Sequence, residues 1–169
     1  MTVRTLVLLR HAKAANPERV ADADRPLTAR GHADAAAAGA WLLSRGLRPA
    51  RVLCSPSRRT RETWHSVRVA LGDTGDAAEV VMEPALYHSG AATALDLIRA
   101  TGPDVDVLVV VGHNPTVSMI SAVLDPGTEV DDDGLRTAGL ALHSIDGDWT
   151  DCGPGSAPLT ASHTARAGG

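Results

Sequence analysis

Two apolar runs constrain the fold of this chain more than any other feature. Val3 to Leu9 and Val105 to Val111 are rich in branched aliphatic residues and show little alternation between apolar and polar positions. Strands that are buried on both faces have this character, whereas strands with one solvated face alternate. Such strands need a layer of helices on each side. The two runs therefore predict a central sheet inside an α/β domain.

Helical and extended segments alternate along the rest of the chain. Thr28 is expected to cap a helix, and the Ser55-Pro56 and Asn114-Pro115 pairs each resemble a helix start with proline in the first turn. The predicted helices cover residues 28–45, 55–71, 89–101 and 114–124, and an acidic loop covers 125–134. Further strands are predicted at 51–54, 79–82 and 135–145. This order predicts a three-layer helix–sheet–helix fold with a mostly parallel central sheet.

Length and composition set the broad class of the protein. The 169 residues suit one domain, and we place it at residues 1–152, followed by a flexible tail at 153–169 that contains few core-forming residues. The formal net charge of −4 gives no support for a nucleic-acid partner. No run of about 18 apolar residues indicates a membrane span, and two lone cysteines form no disulfide framework. We therefore expect a cytoplasmic protein.

Three predicted strands end in residues that suit phosphate chemistry. The first strand leads into Arg10-His11, the second into "CSPSRRTRET" from Cys54, and the third into "VVVGHNPT" from Val109. Ligands of open α/β sheets bind outside the carboxyl ends of the strands. Two histidines, several arginines and two helix N-termini would meet there. Helix N-termini and guanidinium groups both favour anions, so the pattern predicts a phosphoryl-binding pocket.

The motifs "LLRHAKA", "RPLTARG", "SPSRRTRET" and "VVVGHNP" occur in an order that resembles the histidine phosphatase superfamily, the phosphoglycerate-mutase-like proteins. The resemblance covers about residues 3 to 150. The small size and the short loops are most similar to the SixA branch, the phosphohistidine phosphatases. The resemblance implies a phosphoglycerate-mutase-like fold and hydrolysis through a phosphorylated histidine.

The resemblance also implies residue roles. His11 would be the nucleophile, Arg10 and Arg59 would bind the phosphoryl group, and His113 would hold it as an imidazolium. Adjacent cations are expected to lower the pKa of His11 and keep it neutral for attack. A backbone carbonyl could fix its tautomer by accepting from the other ring nitrogen. Further candidates for substrate binding are Arg25, His88 and Asn114. The scheme implies neither a metal nor another cofactor.

Two positions depart from the family pattern. Ala12 stands where glycine usually follows the histidine, so this position must tolerate ordinary backbone angles. Lys13, the only lysine, comes next and could lie near the mouth of the pocket. A carboxylic acid that protonates the leaving group is also not in its common place, which follows the predicted strand at 79–82. The candidates are Asp22, Asp24 and Glu83, and Asp22 is the best aligned.

Three functions follow from these features. The first is dephosphorylation of phosphohistidine in a partner protein, favoured because a phosphoramidate nitrogen protonates more easily than an ester oxygen. The second is hydrolysis of small-molecule phosphate monoesters, which would need a competent Asp or Glu. The third is a catalytically silent phosphate-binding module, whose expected mark is loss of the nucleophilic histidine. The oligomeric state is left open.

Overall fold

A computed structural model describes residues 3–127 and 134–168 of the chain. These residues form an α/β domain with a sheet between two helical layers, as predicted. The strands are β1 (Val3–Arg10), β2 (Arg51–Cys54), β3 (Glu79–Met82), β4 (Val107–Gly112), β5 (Gly139–Asp146) and β6 (Leu159–Thr164). The helices are α1 (Ala29–Ser44), α2 (Arg58–Leu71), α3 (Asp73–Asp76), α4 (Ala85–His88), α5 (Ala91–Arg99) and α6 (Thr116–Leu124). The acidic loop expected at 125–134 lies largely outside the described residues.

The described part of the sheet has the strand order β3-β2-β4-β1-β5-β6. The first four strands are parallel to one another, and β5 runs antiparallel to both β1 and β6. The strands β2, β4 and β1 are therefore neighbours whose carboxyl ends lie at the same edge of the sheet. This arrangement brings together the three strand ends that carry the predicted phosphate chemistry.

The central strand β1 is buried on both faces, which explains its apolar run. Val7 and Leu9 pack with helices α1 and α2 in one core. Leu6 and Leu8 pack with α5 and α6 in the other. Successive side chains of a strand point to opposite faces, so one strand contributes to both cores. No helix of the described chain is long and apolar enough to cross a membrane.

Two of the three predicted helix starts differ from the sequence expectation. Thr28 does cap α1, since its hydroxyl accepts a hydrogen bond from the Gly31 N–H. Ser55 does not cap α2, which begins only at Arg58, and its hydroxyl bonds to another side chain instead. Asn114 likewise makes no cap for α6, which follows Pro115. Polar residues before a helix can bond across the fold rather than to the helix, and sequence does not distinguish the two cases.

The segment after Gly153 is not the tail that its composition predicted. Residues 159–164 form β6, an edge strand paired with β5. Ala157 and Ala165 are fully buried, and the Ala167 N–H donates to the buried carboxylate of Asp34. Strand pairing and small buried residues anchor this segment with few large apolar side chains. The prediction underestimated it because it counted core formers and not backbone hydrogen bonds.

Candidate active site

The carboxyl ends of β1, β2 and β4 border a cavity of about 500 Å³. Charged and aromatic side chains dominate its walls. The lining residues are Arg10, His11, Lys13, Ala14, Asp22, Arg25, Arg59, Tyr87, His113, Asn114 and Thr137. The cavity thus contains the two histidines and two arginines that the sequence motifs singled out.

The backbone and ring of His11 are both held in place. Its N–H donates to the Gly112 carbonyl of β4, and its carbonyl accepts from the Ala138 N–H. Its Nδ1 atom lies 2.8 Å from the Ala12 carbonyl oxygen. A carbonyl can only accept, so Nδ1 carries the proton and Nε2 keeps a lone pair in the neutral ring. The expected tautomer lock is therefore present, and the acceptor is the next residue.

Ala12 occupies its position without strain. The residue is fully buried, and its φ angle is not positive. The position therefore has ordinary backbone angles, as expected. Its N–H donates to the Thr63 hydroxyl of α2, at 3.0 Å. The Thr63 hydroxyl in turn donates to the Arg59 carbonyl, at 2.7 Å. The turn that carries His11 is thereby attached to the helix that carries Arg59.

His113 faces His11 across the cavity, with 5.3 Å between the ring centroids. The Nε2 atom of His113 lies 2.8 Å from the buried Ser55 hydroxyl. The Tyr87 ring packs edge-on against His113 at 5.7 Å. These two contacts orient the second histidine. Neither Ser55 in this role nor Tyr87 was identified from the sequence, although "CSPSRR" and "LYHSG" place them beside residues that were.

Arg10 and Asn114 share one backbone acceptor. Nη1 of Arg10 donates to the Leu135 carbonyl at 2.9 Å, and Nδ2 of Asn114 donates to the same oxygen at 2.6 Å. Oδ1 of Asn114 accepts from the Ser118 hydroxyl. Asn114 therefore connects the β4–α6 turn to the chain before β5 and fixes the position of the Arg10 guanidinium.

Arg59 is buried and bonds to Asp22, whereas the adjacent Arg58 is exposed and pairs with Glu62 at 3.4 Å, because consecutive helix residues point about 100° apart. Nη1 of Arg59 donates to the Asp22 carbonyl and Nη2 to its carboxylate. The Tyr87 hydroxyl donates to the same carboxylate oxygen at 2.6 Å.

Arg25 contacts the same loop, through the Ala15 carbonyl and the other Asp22 oxygen. Asp22 thus accepts hydrogen bonds from three side chains that line the cavity. A carboxylate in this position balances part of the positive charge of the surrounding guanidinium groups.

Both histidines are neutral in this environment at pH 7. Burial, assisted by His113, Arg59 and Arg10, lowers the pKa of His11 to about 4. Burial, with a further contribution from Arg59, also lowers the pKa of His113 to about 4. The expected lowering for His11 is confirmed, although burial outweighs the nearby cations. His113 was expected to be an imidazolium when it holds phosphate, and that stays a prediction; without phosphate, desolvation disfavours the charged ring.

The candidate acids differ in where they lie. Asp22 lines the cavity, but the Tyr87 hydroxyl and Arg59 lower the pKa of its carboxyl to about 2, so it is ionised. Glu83 does not line the cavity; it directly follows β3 at the edge of the sheet, and β2 and β4 lie between that strand and β1. Asp24 also lies outside it. Of the three candidate acids, Asp22 is the one that lines this cavity, and the identity of the acid stays a prediction.

The three residues predicted to bind substrate do not all line the cavity. Arg25 and Asn114 line the cavity, whereas His88 does not. His88 is exposed at the end of α4, and its ring packs against the Tyr87 ring at 4.8 Å. Its neighbour Tyr87, and not His88, is the residue of this segment that lines the cavity. Among the described residues, no group of three or more His, Cys, Asp or Glu could hold a metal ion.

Comparisons with known proteins agree with this geometry. Residues 6–87 match the model of the histidine phosphatase superfamily, branch 1. An uncharacterized protein of Mycobacterium tuberculosis is 36% identical over 94% of this chain and 100% of its own length. The structure of SixA from Nakamurella multipartitia is 33% identical, covers 98% of both chains and superposes with a TM-score of 0.79.

A second solved structure, SixA from Agrobacterium tumefaciens, is 27% identical. It covers 95% of this chain and 97% of its own, with a TM-score of 0.76. Fold, motif order and pocket composition point to one family. The chain belongs to the histidine phosphatase superfamily, branch 1, and is a phosphoric-group hydrolase with a SixA-type fold.

Proposed function

We propose that this enzyme removes the phosphoryl group from phosphohistidine in a partner protein, through a phosphorylated intermediate on His11. The observation that carries the proposal is the 2.8 Å contact between His11 Nδ1 and the Ala12 carbonyl. It leaves the lone pair of Nε2 available in a cavity that also contains Arg10, Arg59 and His113. A positioned, neutral imidazole beside phosphate-binding cations is the arrangement that nucleophilic phosphoryl transfer requires.

The reaction has two steps. In the first, Nε2 of His11 forms a bond to phosphorus while the substrate's N–P bond breaks, and the departing imidazole nitrogen takes a proton from solvent water. In the second, water attacks phosphorus, the His11–P bond breaks, and inorganic phosphate leaves with His11 neutral again. Guanidinium groups of Arg10 and Arg59 stabilise the charge on the transferring oxygens. His113 donates to the phosphoryl group once that dianion has raised the pKa of its ring.

The ionised state of Asp22 favours a phosphoramidate substrate. Among the described residues, Asp22 is the one carboxylate that lines the cavity, and its pKa is about 2. An ester leaving group needs a proton from such an acid, whereas an imidazole leaving group acquires its own proton readily near neutral pH. The two SixA relatives carry the name phosphohistidine phosphatase, which is consistent with this assignment.

A second candidate function is hydrolysis of a small phosphate monoester. The position of Asp22 favours it, because a phosphoryl group that took over the Arg59 hydrogen bonds would release the Asp22 carboxylate and raise its pKa. A cavity of about 500 Å³ also suits a small molecule. A cytoplasmic location is part of both proposals, and the two free thiols, Cys54 and Cys152, are consistent with a reducing compartment.

Trapping of the phosphoenzyme tests the role of His11. The protein is mixed with a ³²P-phosphohistidine peptide, quenched in alkali and separated on a gel. The expected label is stable to alkali and labile to acid, and it is absent from His11→Ala. The matched control is His65→Ala, which removes an exposed histidine of α2 outside the cavity. Label retained in His11→Ala would refute the assignment.

Turnover then separates the two substrates. We expect kcat/KM for the phosphohistidine peptide to exceed that for a panel of sugar and nucleoside monophosphates by at least about 100-fold, or about 2.7 kcal/mol in the transition state. A higher kcat/KM for any ester would replace the first candidate with the second.

A further inference from the structure

A second cavity lies beside the first and has a basic wall. Its volume is about 240 Å³, and its lining residues are Lys13, Arg30, Asp34, Thr137 and Arg166. Lys13 and Thr137 also line the larger cavity, so the two cavities share one wall. A ligand that places a phosphoryl group at His11 therefore has a second basic site within reach of its neighbouring groups.

The charge of this region is opposite to that of the whole protein. Six basic and two acidic side chains among the described residues line the two cavities together, whereas the chain has a formal net charge of −4. An acidic partner would be repelled by most of the surface and attracted here. Local charge of this kind guides the approach and the orientation of a partner.

The one acidic residue that lines the smaller cavity, Asp34, already bonds to other groups of the protein. Asp34 is buried, with a side chain 4% exposed. One of its oxygens accepts from the Ala167 N–H at 2.9 Å, and the other lies 3.8 Å from Arg30 and 3.7 Å from Arg166. Asp34 neutralises about one of the three positive charges. Two remain for a ligand.

Lys13 is the cation with the most freedom. It is exposed, and its ammonium group has no hydrogen bond or ion pair with any described residue. Its backbone, in contrast, is held firmly, since its carbonyl accepts from both the N–H and the hydroxyl of Thr28. A long, unpaired ammonium on a fixed backbone can reach ligands in either cavity. Arg30, 75% exposed, can rotate toward the same ligand.

We infer that the smaller cavity is a docking subsite for an acidic side chain, Asp or Glu, located a few residues from the phosphohistidine of the partner protein. The inference rests on the proposed function, since it concerns the protein that carries the substrate. An extended chain advances about 3.3 Å per residue, so a carboxylate two to four residues away can span to an adjoining cavity. Lys13 and Arg30 would contact it, and Arg166 would remain paired with Asp34.

Two peptides test this subsite. Both have a central phosphohistidine. One peptide carries glutamates at the positions two to four residues before and after it, and the other carries glutamines at the same positions. We expect the wild-type kcat/KM for the glutamate peptide to be about 5- to 10-fold higher, as two or three partly exposed ion pairs would give. The ratio should approach one when the salt concentration is raised, because screening weakens exposed ion pairs.

The variant Arg30→Gln should reduce this glutamate-over-glutamine ratio to about two or below, and Arg30→Lys should keep most of it. The matched control is Arg48→Gln, which removes an exposed arginine outside both cavities and should leave both rates unchanged. Equal rates for the two peptides in the wild type would overturn the subsite. An unaltered glutamate-over-glutamine ratio in Arg30→Gln would also overturn it.

Failure of the proposed function gives a different result. In that case neither phosphohistidine peptide is hydrolysed, and the subsite is tested by binding alone. Fluorescently labelled, unphosphorylated versions of the two peptides are titrated with the protein at low salt, and anisotropy is followed. The glutamate peptide should bind about fivefold more tightly than the glutamine peptide, and Arg30→Gln should abolish the difference. Equal affinities would overturn the inference whatever the reaction is.

Discussion

Arg59 donates to Asp22 from both terminal nitrogens, with Nη1 2.8 Å from the backbone carbonyl and Nη2 3.1 Å from the carboxylate. The arginine assigned to phosphate is thus bonded to an anion of the protein itself. A phosphoryl group that binds to Arg59 competes with this carboxylate. The Asp22–Arg59 pair therefore holds the guanidinium in place and also weakens its affinity for phosphate.

The first prediction concerns this competition. Asp22→Asn removes the carboxylate charge and should lower the dissociation constant for inorganic phosphate by about 3- to 10-fold, since one exposed charge contributes about 1 kcal/mol. Isothermal titration calorimetry measures the constant. Asp24→Asn, an exposed carboxylate outside the cavity, is the control. Unchanged or weaker phosphate binding in Asp22→Asn would show that the pair does not compete with the ligand.

The second prediction concerns the protonation of the two pocket histidines. Because the pKa values of His11 and His113 are both about 4, both rings should stay neutral on lowering the pH from 8 to about 5. Ring ¹⁵N chemical shifts measure this directly and should show the proton of His11 on Nδ1. Saturating phosphate should raise the pKa of His113, because a nearby dianion favours the imidazolium. If the ring of His11 or His113 took up a proton near pH 6.5 in the protein without phosphate, the result would contradict the assignment.

The third prediction is that the lowered pKa values of His11 and His113 make the stability of the protein depend on pH. The two histidines bind protons near pH 4 when folded and near their ordinary value of 6.5 when unfolded. Between these values the unfolded chain binds more protons, so their contribution to the unfolding free energy falls as the pH decreases from about 6.5 to about 4. Urea unfolding at several pH values measures the slope. In His11→Asn the slope should be smaller, and an equal slope would exclude His11 as its source.

The fourth prediction concerns Ser55, whose hydroxyl lies 2.8 Å from His113 Nε2. Ser55→Ala leaves the ring without its partner and should lower kcat by about tenfold while changing KM little, because the ring orientation matters most in the transition state. The loss in unfolding free energy should be about 1 kcal/mol. Ser55→Thr should restore part of the rate, and Ser44→Ala, on the exposed end of α1, is the control. A proportional rise in KM with constant kcat would contradict a positioning role.

The fifth prediction concerns Gly31, the first-turn glycine of α1. A Cβ at this position would lie 2.2 Å from the Lys13 carbonyl oxygen, so the turn after His11 would have to move. Gly31→Ala should therefore lower the unfolding free energy by about 2 kcal/mol and reduce kcat/KM. Gly90→Ala adds a Cβ that meets nothing within 4 Å, and its activity should be unchanged. Normal stability and activity in Gly31→Ala would show that the turn can shift freely.

The order of strands, helices and motifs along the chain could be predicted from the sequence because it depends on local patterns. Two continuous apolar runs indicated buried strands that lead into Arg10-His11 and His113, and a shorter predicted strand at 51–54 leads into the segment that carries Arg59. Parallel strands place their carboxyl ends at one edge of a sheet, so these residues had to lie near one another. The order of strands and helices and the edge of the sheet that carries the pocket could be predicted in this way, whereas the choice of the four central residues came from the family resemblance.

The tertiary structure alone decided the contacts between segments far apart in the chain. It directed Ser55 to His113 rather than to a helix, and Tyr87 rather than His88 into the pocket. It also paired residues 159–164 with β5, although their composition resembles a tail. Hydrogen bonds between distant segments depend on strand order and on the exact placement of loops, which no local periodicity encodes. The protonation states followed from the same source, since burial, which sequence does not report, lowered the pKa values of both histidines.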